Sequence, residues 1–556
     1  MSFNSSAFAL FLIVVGVLYA LLQLRRDFRS QNFLLLVASY IFYGAWDIRF
    51  LFLVFASTAV DYIAGLGIKH QKPPINSLVW MIAGLLVFGS IAILPELGWN
   101  GTGDNQVIGS TARASQVSRK GQSAFVAVAG SLAMILLMFY AGFKSKRIGT
   151  PLYFLMLSVF SNLGMLAVFK YYDFFIESAN YAMSGLGVSS HLSTLNLILP
   201  VGISFYTFQT MSYAIDIYRD KLRPTSDFIE FAVFVSYFPQ LVAGPIERAT
   251  DLLPHFQRPR TIEAFDIQTG FFLVSWGLYK KIFVADNLSP IVTNAFGQPS
   301  PSGPLVWVGV FAFAMQIYCD FSAYSDIARG ISRMLGIELS INFNSPYFVS
   351  NPQDFWKRWH ISLSSWLRDY LYIPLGGSKG SDIVIYRNLM LTMLIGGLWH
   401  GARGNFILWG GYQGLLLCVH RFLFRSYGKR PSAETAATEF GILNQVWGLA
   451  RWFVFFQLVL YGWLLFRAES VQQVVLLTGS LGSNWGSVLE YFPLLFKILW
   501  FTWLTWLVDY RSFRLNNQLH IMSSPVAIRV AFYLWIFYSI TIFGAHDEVD
   551  FIYFQF

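Results

Sequence analysis

Two of the eight histidines sit where an imidazole could do chemistry. His360 lies in NPQDFWKRWHISLSSWLRDYLYIPLGGSKG, residues 351–380, and His400 in NLMLTMLIGGLWHGARGNFILWGGYQG, residues 388–414. Both are set among apolar and aromatic residues. Burial in a low dielectric favours the neutral imidazole. A neutral imidazole is a general base that can take the proton from a hydroxyl as its oxygen attacks a thioester. It can also be the acyl-accepting nucleophile itself. Nothing in the spacing chooses between these roles. A metal site is the obvious rival. Zinc ligands usually come at short spacings such as HxxxH or CxxC, whereas this pair is forty positions apart and no carboxylate stands at a matching offset, so no metal is expected. The ordinary alternative is a hydrogen-bonded structural histidine, weighed against the rule that intramembrane ionisable groups usually serve function. His70, His191, His255, His420, His520 and His546 lie in loops or near the ends of apolar runs and read as structural.

The local elements that must hold these rings follow. Asn351 is a good N-cap, Pro352 suits the first helical position, and Asp354 stands three after the cap. The pattern predicts a helix from 352 to about 369 with His360 in its middle. Trp356, Leu363 and Ser364 would share its face. Arg358, Ser365 and Asp369 would lie opposite, in an amphipathic helix along the membrane interface. PLGGSKG, with Lys379, follows as a loop. Before His400, Gly396 and Gly397 fall at i−4 and i−3, which leaves a slot beside the imidazole if the segment is helical. Glycine costs about 1 kcal/mol per helical position relative to alanine, so an adjacent pair needs a packing or access reason. Gly401 and Gly404 extend the small surface. Arg403 could serve an anion or reach the interface. Three further segments are polar within apolar surroundings. SFYTFQTMSYAIDIYRDK, residues 204–221, carries Gln209, Tyr213, Asp216 and Arg219. YFPQLVAGPIER, 237–248, breaks at Pro239, Gly244 and Pro245. QIYCDFSAYSDIARG, 316–330, carries Asp320, Tyr324 and Arg329. Ion pairing is the ordinary role of such residues, and lining the same cavity as His400 is the sharper one. The many tryptophans read as interfacial belt or core.

These segments belong to a chain that needs lipid. Its 556 residues are 55% hydrophobic, 18% aromatic and only 12% charged, about half the charge of a soluble domain. The net charge of +9 reads as cytoplasmic Lys and Arg, with no nucleic-acid motif. The two cysteines, Cys319 and Cys418, form no framework and read as packing residues. A spanning helix needs about 20 apolar residues. The candidates are 7–24, 31–47, 49–67, 78–97, 124–143, 150–170, 193–215, 228–244, 266–285, 304–325, 388–400, 404–424, 446–467, 490–508 and 525–543, of which 388–400 is short. In the first, Arg25 and Arg26 follow the apolar run, so it reads as a retained span and not a signal peptide. If the clusters Arg25, Arg26, Arg29; Lys69, Lys72; and Lys144, Lys146, Arg147 are all cytoplasmic, the N-terminus lies outside. The polar loop 98–123 is then external, although Arg113, Arg119 and Lys120 sit in it. The stretch 425–440 is a second polar break. Between them, from about 190 to 425, the runs are interrupted by Gly and Pro. Irregular backbone at membrane depth is tolerated where protein buries it or water reaches it, so a cavity is expected in this part.

SFYTFQTMSYAIDIYR, YFPQLVAGPIER, YCDFSAYSDIARG, NFNSPYFVSNPQDFWKRWHISLSSWLRDYLYIPLGG, GGLWHGARGNFILWGGYQG and the terminal FIYFQF resemble the membrane-bound O-acyltransferase family, in its bacterial branch of alginate O-acetyltransferase-like proteins. The resemblance is densest over 200–415. Residues 78–147 depart from it as an inserted helix pair, and 431–445 is loose. The resemblance implies an all-α polytopic bundle with a central tunnel and interfacial or re-entrant helices. Its parts would be N-terminal spans over 1–180, a catalytic core over 190–425 and C-terminal spans over 431–556. It makes His400 the catalytic histidine and His360 its partner across the tunnel. It implies an acyl group taken from a cytoplasmic thioester, acetyl-CoA for the polysaccharide branch, with no permanently bound cofactor. It implies the bacterial inner membrane, and a periplasmic SGNH-hydrolase-like transferase as partner. Lys379, Arg368 and Arg403 are weaker candidates for a phosphate-bearing donor, and Gln209, Asp320 and Tyr324 for the substrate cavity. Two rivals stand beside this reading. D-alanyl transfer from a carrier protein would need a cytoplasmic docking groove. A non-catalytic transporter or channel would need repeated broken helices.

Overall fold

Helix follows helix along the chain in the computed structural model, and no strand occurs among the described residues. Those residues are 3–93, 138, 140–145, 149–188, 192–242, 244–425, 442–483, 485–486, 488–545 and 551–552. The loop 98–123 expected to be external, most of the span expected at 124–143, the cations Lys146 and Arg147, nearly all of the break at 425–440, His191, His546 and the last four residues of FIYFQF lie outside them. Eight helices among the described residues are long and apolar enough to cross a bilayer. The chain is a multi-pass membrane protein. It divides into two compact units, one of residues 1–262 with 335–338, the other of 263–334 with 339–556. The stretch 190–425 contributes to both.

The first unit begins with α1 (Ser6–Leu24), α2 (Phe28–Gly44), α3 (Phe50–Ile68) and α4 (Ile75–Ile93). The Ser5 side chain caps α1 and the Asp27 carboxylate caps α2, each accepting a first-turn N–H that has no intrahelical partner. Then come α5 (Pro151–Leu166), α6 (Tyr172–Gly185), α7 (Ile203–Tyr218) and α8 (Phe228–Ser236). The span expected at 193–215 is shorter at its start, because Pro200 and the left-handed Gly202 (φ 73°) hold the chain out of helix until Ile203. Helix α3 is buried along its whole length and packs on α5 and α7.

The second unit contains α9 (Ala264–Leu278), α10 (Asp286–Gly297) and the long α11 (Gly303–Met334). A π-helical segment, Tyr279–Ala285, joins α9 to α10. Two short helices follow, α12 (Pro352–Trp356) and α13 (Ile361–Leu367). Next are α14 (Asp382–His400) and α15 (Gly404–Arg425), packed against each other as a hairpin. The short run at 388–400 is lengthened at its start, with Asp382 in the first turn, into a full span. The unit ends with α16 (Ile442–Arg467), α17 (Val471–Ser483), α18 (Phe492–Leu515) and α19 (Val526–Phe543).

Candidate active site

His360 is not in the middle of a helix. Asn351 does cap α12, its side chain accepting the Asp354 N–H at 2.9 Å, but that helix ends at Trp356. His360 takes left-handed backbone angles (φ 44°, ψ 54°) and is the N-cap residue of α13. Left-handed geometry costs a non-glycine residue about 1–2 kcal/mol, so the neighbours must hold it. They do so through Asn342. The Ile361 N–H donates to the Asn342 carbonyl at 2.9 Å, and the Asn344 N–H to the Arg358 carbonyl at 3.0 Å. The break replaces the expected 352–369 helix and puts Trp356 on α12, apart from Leu363 and Ser364 on α13.

Asn342 also settles the tautomer. Its Oδ1 accepts the Ser362 N–H at 3.3 Å and the Ser362 hydroxyl at 2.9 Å, and lies 3.2 Å from His360 Nδ1. A backbone N–H can only donate, so the atom it faces is the carboxamide oxygen. An oxygen acceptor places the imidazole proton on Nδ1 and leaves the lone pair on Nε2. His360 is fully buried. Burial alone pushes its pKa down to about 3, so the ring is neutral. Phe321 of α11 stands edge-on to it at 4.7 Å, with Phe343 at 6.3 Å and Trp399 at 6.0 Å.

His400 closes α14 and is 6% exposed. Trp399 lies 5.0 Å from it, Trp409 of α15 5.0 Å and Phe466 of α16 5.2 Å. The structure thus brings the two histidines, forty positions apart, to one indole, Trp399. The expected glycine slot is not open. A Cβ on Gly397 would lie 2.3 Å from the Phe406 carbonyl oxygen, and one on Gly410 would lie 2.4 Å from that of Met393. The Cβ of a residue at 396 would meet the Leu367 side chain at 3.2 Å. Gly397 and Gly410 let α14 and α15 approach closely, as small residues do between membrane helices. The reason is packing, and the rings beside His400 are aromatic.

The other expected residues fall elsewhere. Asp320, on α11, pairs with Lys281 at 3.0 Å, and Lys281 also pairs with Asp286 at 2.8 Å, with all three side chains at most 3% exposed. The Asp320 carboxylate accepts the Ile552 N–H at 2.7 Å, and Phe551 packs on Tyr324 at 4.1 Å and Phe321 at 5.8 Å. Asp320 and Tyr324 therefore hold the C-terminal Phe551–Ile552, and Phe321 carries that packing to His360. Gln209 lies in the first unit, buried, where it donates to the Phe234 carbonyl at 2.6 Å and accepts from Gln240. Arg368 pairs with its neighbour Asp369 and is 62% exposed. Lys379 and Arg403 are exposed. Reading the sequence missed Asn342, Phe321, Trp409 and Phe466. Asn342, a polar residue in NFNSPYF, was the one with a visible signal.

The MBOAT, membrane-bound O-acyltransferase family, model matches residues 218–463, a range that holds both histidines. The chain is 36% identical over 475 residues to the probable alginate O-acetylase AlgI of Pseudomonas aeruginosa, covering 85% of this chain and 73% of that protein. It is 31% identical over 512 residues to the peptidoglycan O-acetyltransferase of Helicobacter pylori, covering 87% and 80%. It is 29% identical over 252 residues to the teichoic acid D-alanyltransferase of Bacillus subtilis, covering 42% and 62%. These relatives are acyltransferases, which sets aside the channel reading. Two buried imidazoles on one indole, in a polytopic helical chain with such relatives, lead to one assignment: the chain belongs to the membrane-bound O-acyltransferase family and is a membrane O-acyltransferase.

Proposed function

We propose that the protein moves an acetyl group from a cytoplasmic thioester, acetyl-CoA, across the bacterial inner membrane for O-acetylation of an exported polysaccharide such as alginate. The observation that carries this reading is the convergence of His360 and His400 on Trp399 in a chain whose broadest matches include two O-acetyl-transferring proteins. His400 acts as general base or acyl relay. His360 is neutral and keeps the lone pair on Nε2, which suits accepting a hydrogen bond and positioning the thioester. Burial disfavours a proton on His360, which suits it to positioning and not to proton transfer. Lys379 and Arg403, exposed cations, are offered for the donor's phosphates. Arg368 is less available because Asp369 already holds it. The acyl group is completed onto the polymer by a periplasmic SGNH-hydrolase-like partner, and the N-terminus faces the periplasm.

The test is His400→Ala expressed as the only copy, scored by acetyl ester on the secreted polysaccharide. Acetylation is expected to vanish. Normal acetylation at normal expression would overturn the assignment. D-alanyl transfer is the second reading, favoured by the Bacillus subtilis relative over its shorter match. Labelled acetyl-CoA against charged carrier protein, offered to the purified membrane enzyme, separates the two donors.

A further inference from the structure

The tryptophans of the second unit fall into two groups. The Trp307 indole N–H donates to the Gln457 side chain at 3.0 Å, and that of Trp452 to the Tyr347 carbonyl at 2.7 Å. The Trp409 and Trp356 indole N–H groups are buried and meet no acceptor among the described residues. Trp409 is 2% exposed. Buried donors are nearly always partnered, and an exception asks for a reason. The Trp463 and Trp535 indole N–H groups also meet no acceptor among the described residues, but Trp409 and Trp356 form a pair whose first member lies against His400. The Trp409 ring is 5.0 Å from the His400 imidazole at 89°, and the Trp356 ring is 5.9 Å from that of Trp409. An indole N–H lies on the ring's rim and donates only. An oxygen accepting it at about 2.9 Å sits in the immediate surroundings of His400.

We propose that the Trp409 indole N–H is a catalytic donor that holds the acyl carbonyl oxygen beside His400, with Trp356 as a second donor. The proposal rests on the reading of His400 as the acyl-transfer residue. When an acceptor hydroxyl oxygen bonds to the carbonyl carbon, its proton passes to His400. The carbonyl π pair moves onto the oxygen, which becomes an oxyanion. The N–H strengthens its bond to that charge. The pair then returns, the carbon–sulfur bond breaks, and the thiolate takes the proton back from the imidazolium. Ester and thiol are the products. A donor fixed in a water-poor site acts on the charge that develops in the transition state, so it lowers the barrier more than it aids binding.

The experiment replaces Trp409 with phenylalanine, and separately with benzothienylalanine, which keeps the indole shape but puts sulfur in place of N–H. Labelled acetyl-CoA is the probe for kcat and KM on the full-length protein in lipid nanodiscs. Polysaccharide ester content in cells is the second readout, which serves if the wild type does not consume that thioester. The expected result is a fall in kcat on the order of 10²-fold, with KM little changed and thermal unfolding unchanged for the isosteric variant. Wild-type turnover by the benzothienylalanine variant would overturn the proposal. So would a loss confined to KM or to folded yield. If His400→Ala keeps full transfer, it is the reading of His400 that fails. If His400→Ala is dead while the isosteric variant is normal, only the role of Trp409 fails.

Discussion

His360 and His400 are held by different means, and the difference predicts different behaviour. His360 is fixed by Asn342 in a left-handed backbone and is neutral because burial depresses its pKa to about 3. An unfolded histidine titrates near 6.5. As pH falls below that value the unfolded chain takes up a proton that the folded one refuses until about 3. Stability from this group is therefore fully present above about 6.5 and is lost as pH falls towards 3. Thermal unfolding of the solubilised protein between pH 7.5 and 4.5 should show this slope, and His360→Gln should flatten it. An unchanged slope in the variant would mean that His360 is not the neutral buried group described. Asn342→Ala should act on the same ring from outside it. It frees the Nδ1 proton and lowers acyl transfer, while Asn342→Asp keeps an oxygen acceptor and should retain more activity. Both histidines were legible as chemistry-bearing residues from their apolar surroundings. The tautomer was not, because it depends on a side chain 18 positions earlier.

Helices α14 and α15 show what glycine contributes at the level of an element. Read along one helix, Gly396 and Gly397 suggest space beside His400. Seen against the neighbouring helix, Gly397 is a contact with the Phe406 carbonyl and with Gly410. Gly397→Ala must push the two helices apart, and overpacking of this kind costs about 1–3 kcal/mol. Folded yield and thermal stability should fall, and activity should fall with them, because Trp409 rides on α15 and His400 on α14. Gly404, whose added Cβ would meet only a Val471 methyl at 3.0 Å, should tolerate alanine better. Equal tolerance at both positions would refute the crossing as the reason. Helix existence was readable from hydropathy, as the agreement of 49–67 with Phe50–Ile68 shows. Helix breaks were not. Nothing in the run from Pro352 onwards marks Trp356 as the end of one helix or His360 as the cap of the next. That break is made by the backbone bonds from 342 and 344.

In the second unit as a whole, the buried ion cluster of Lys281, Asp286 and Asp320 ties α10 and α11 to the C-terminal Phe551–Ile552. Lys281→Met would strand two buried carboxylates, and breaking a buried pair costs about 3–5 kcal/mol. The variant should fail to accumulate as folded protein in the membrane fraction. Adding Asp286→Asn and Asp320→Asn should restore accumulation in part, and no restoration would argue against charge as the cause. By itself the sequence determined the solvent, the helical class, the two chemically plausible imidazoles and the family they resemble. Composition and run length decide the first two, and short motifs carry the others. Tertiary structure alone decided what surrounds those imidazoles. Trp399 is adjacent in sequence to His400 yet also reaches His360, while Phe321, Trp409 and Phe466 arrive from three other helices. Apolar residues are interchangeable in a hydropathy pattern, so no linear signal distinguishes an aromatic that faces the site from one that faces lipid. The packing of helix on helix makes that choice.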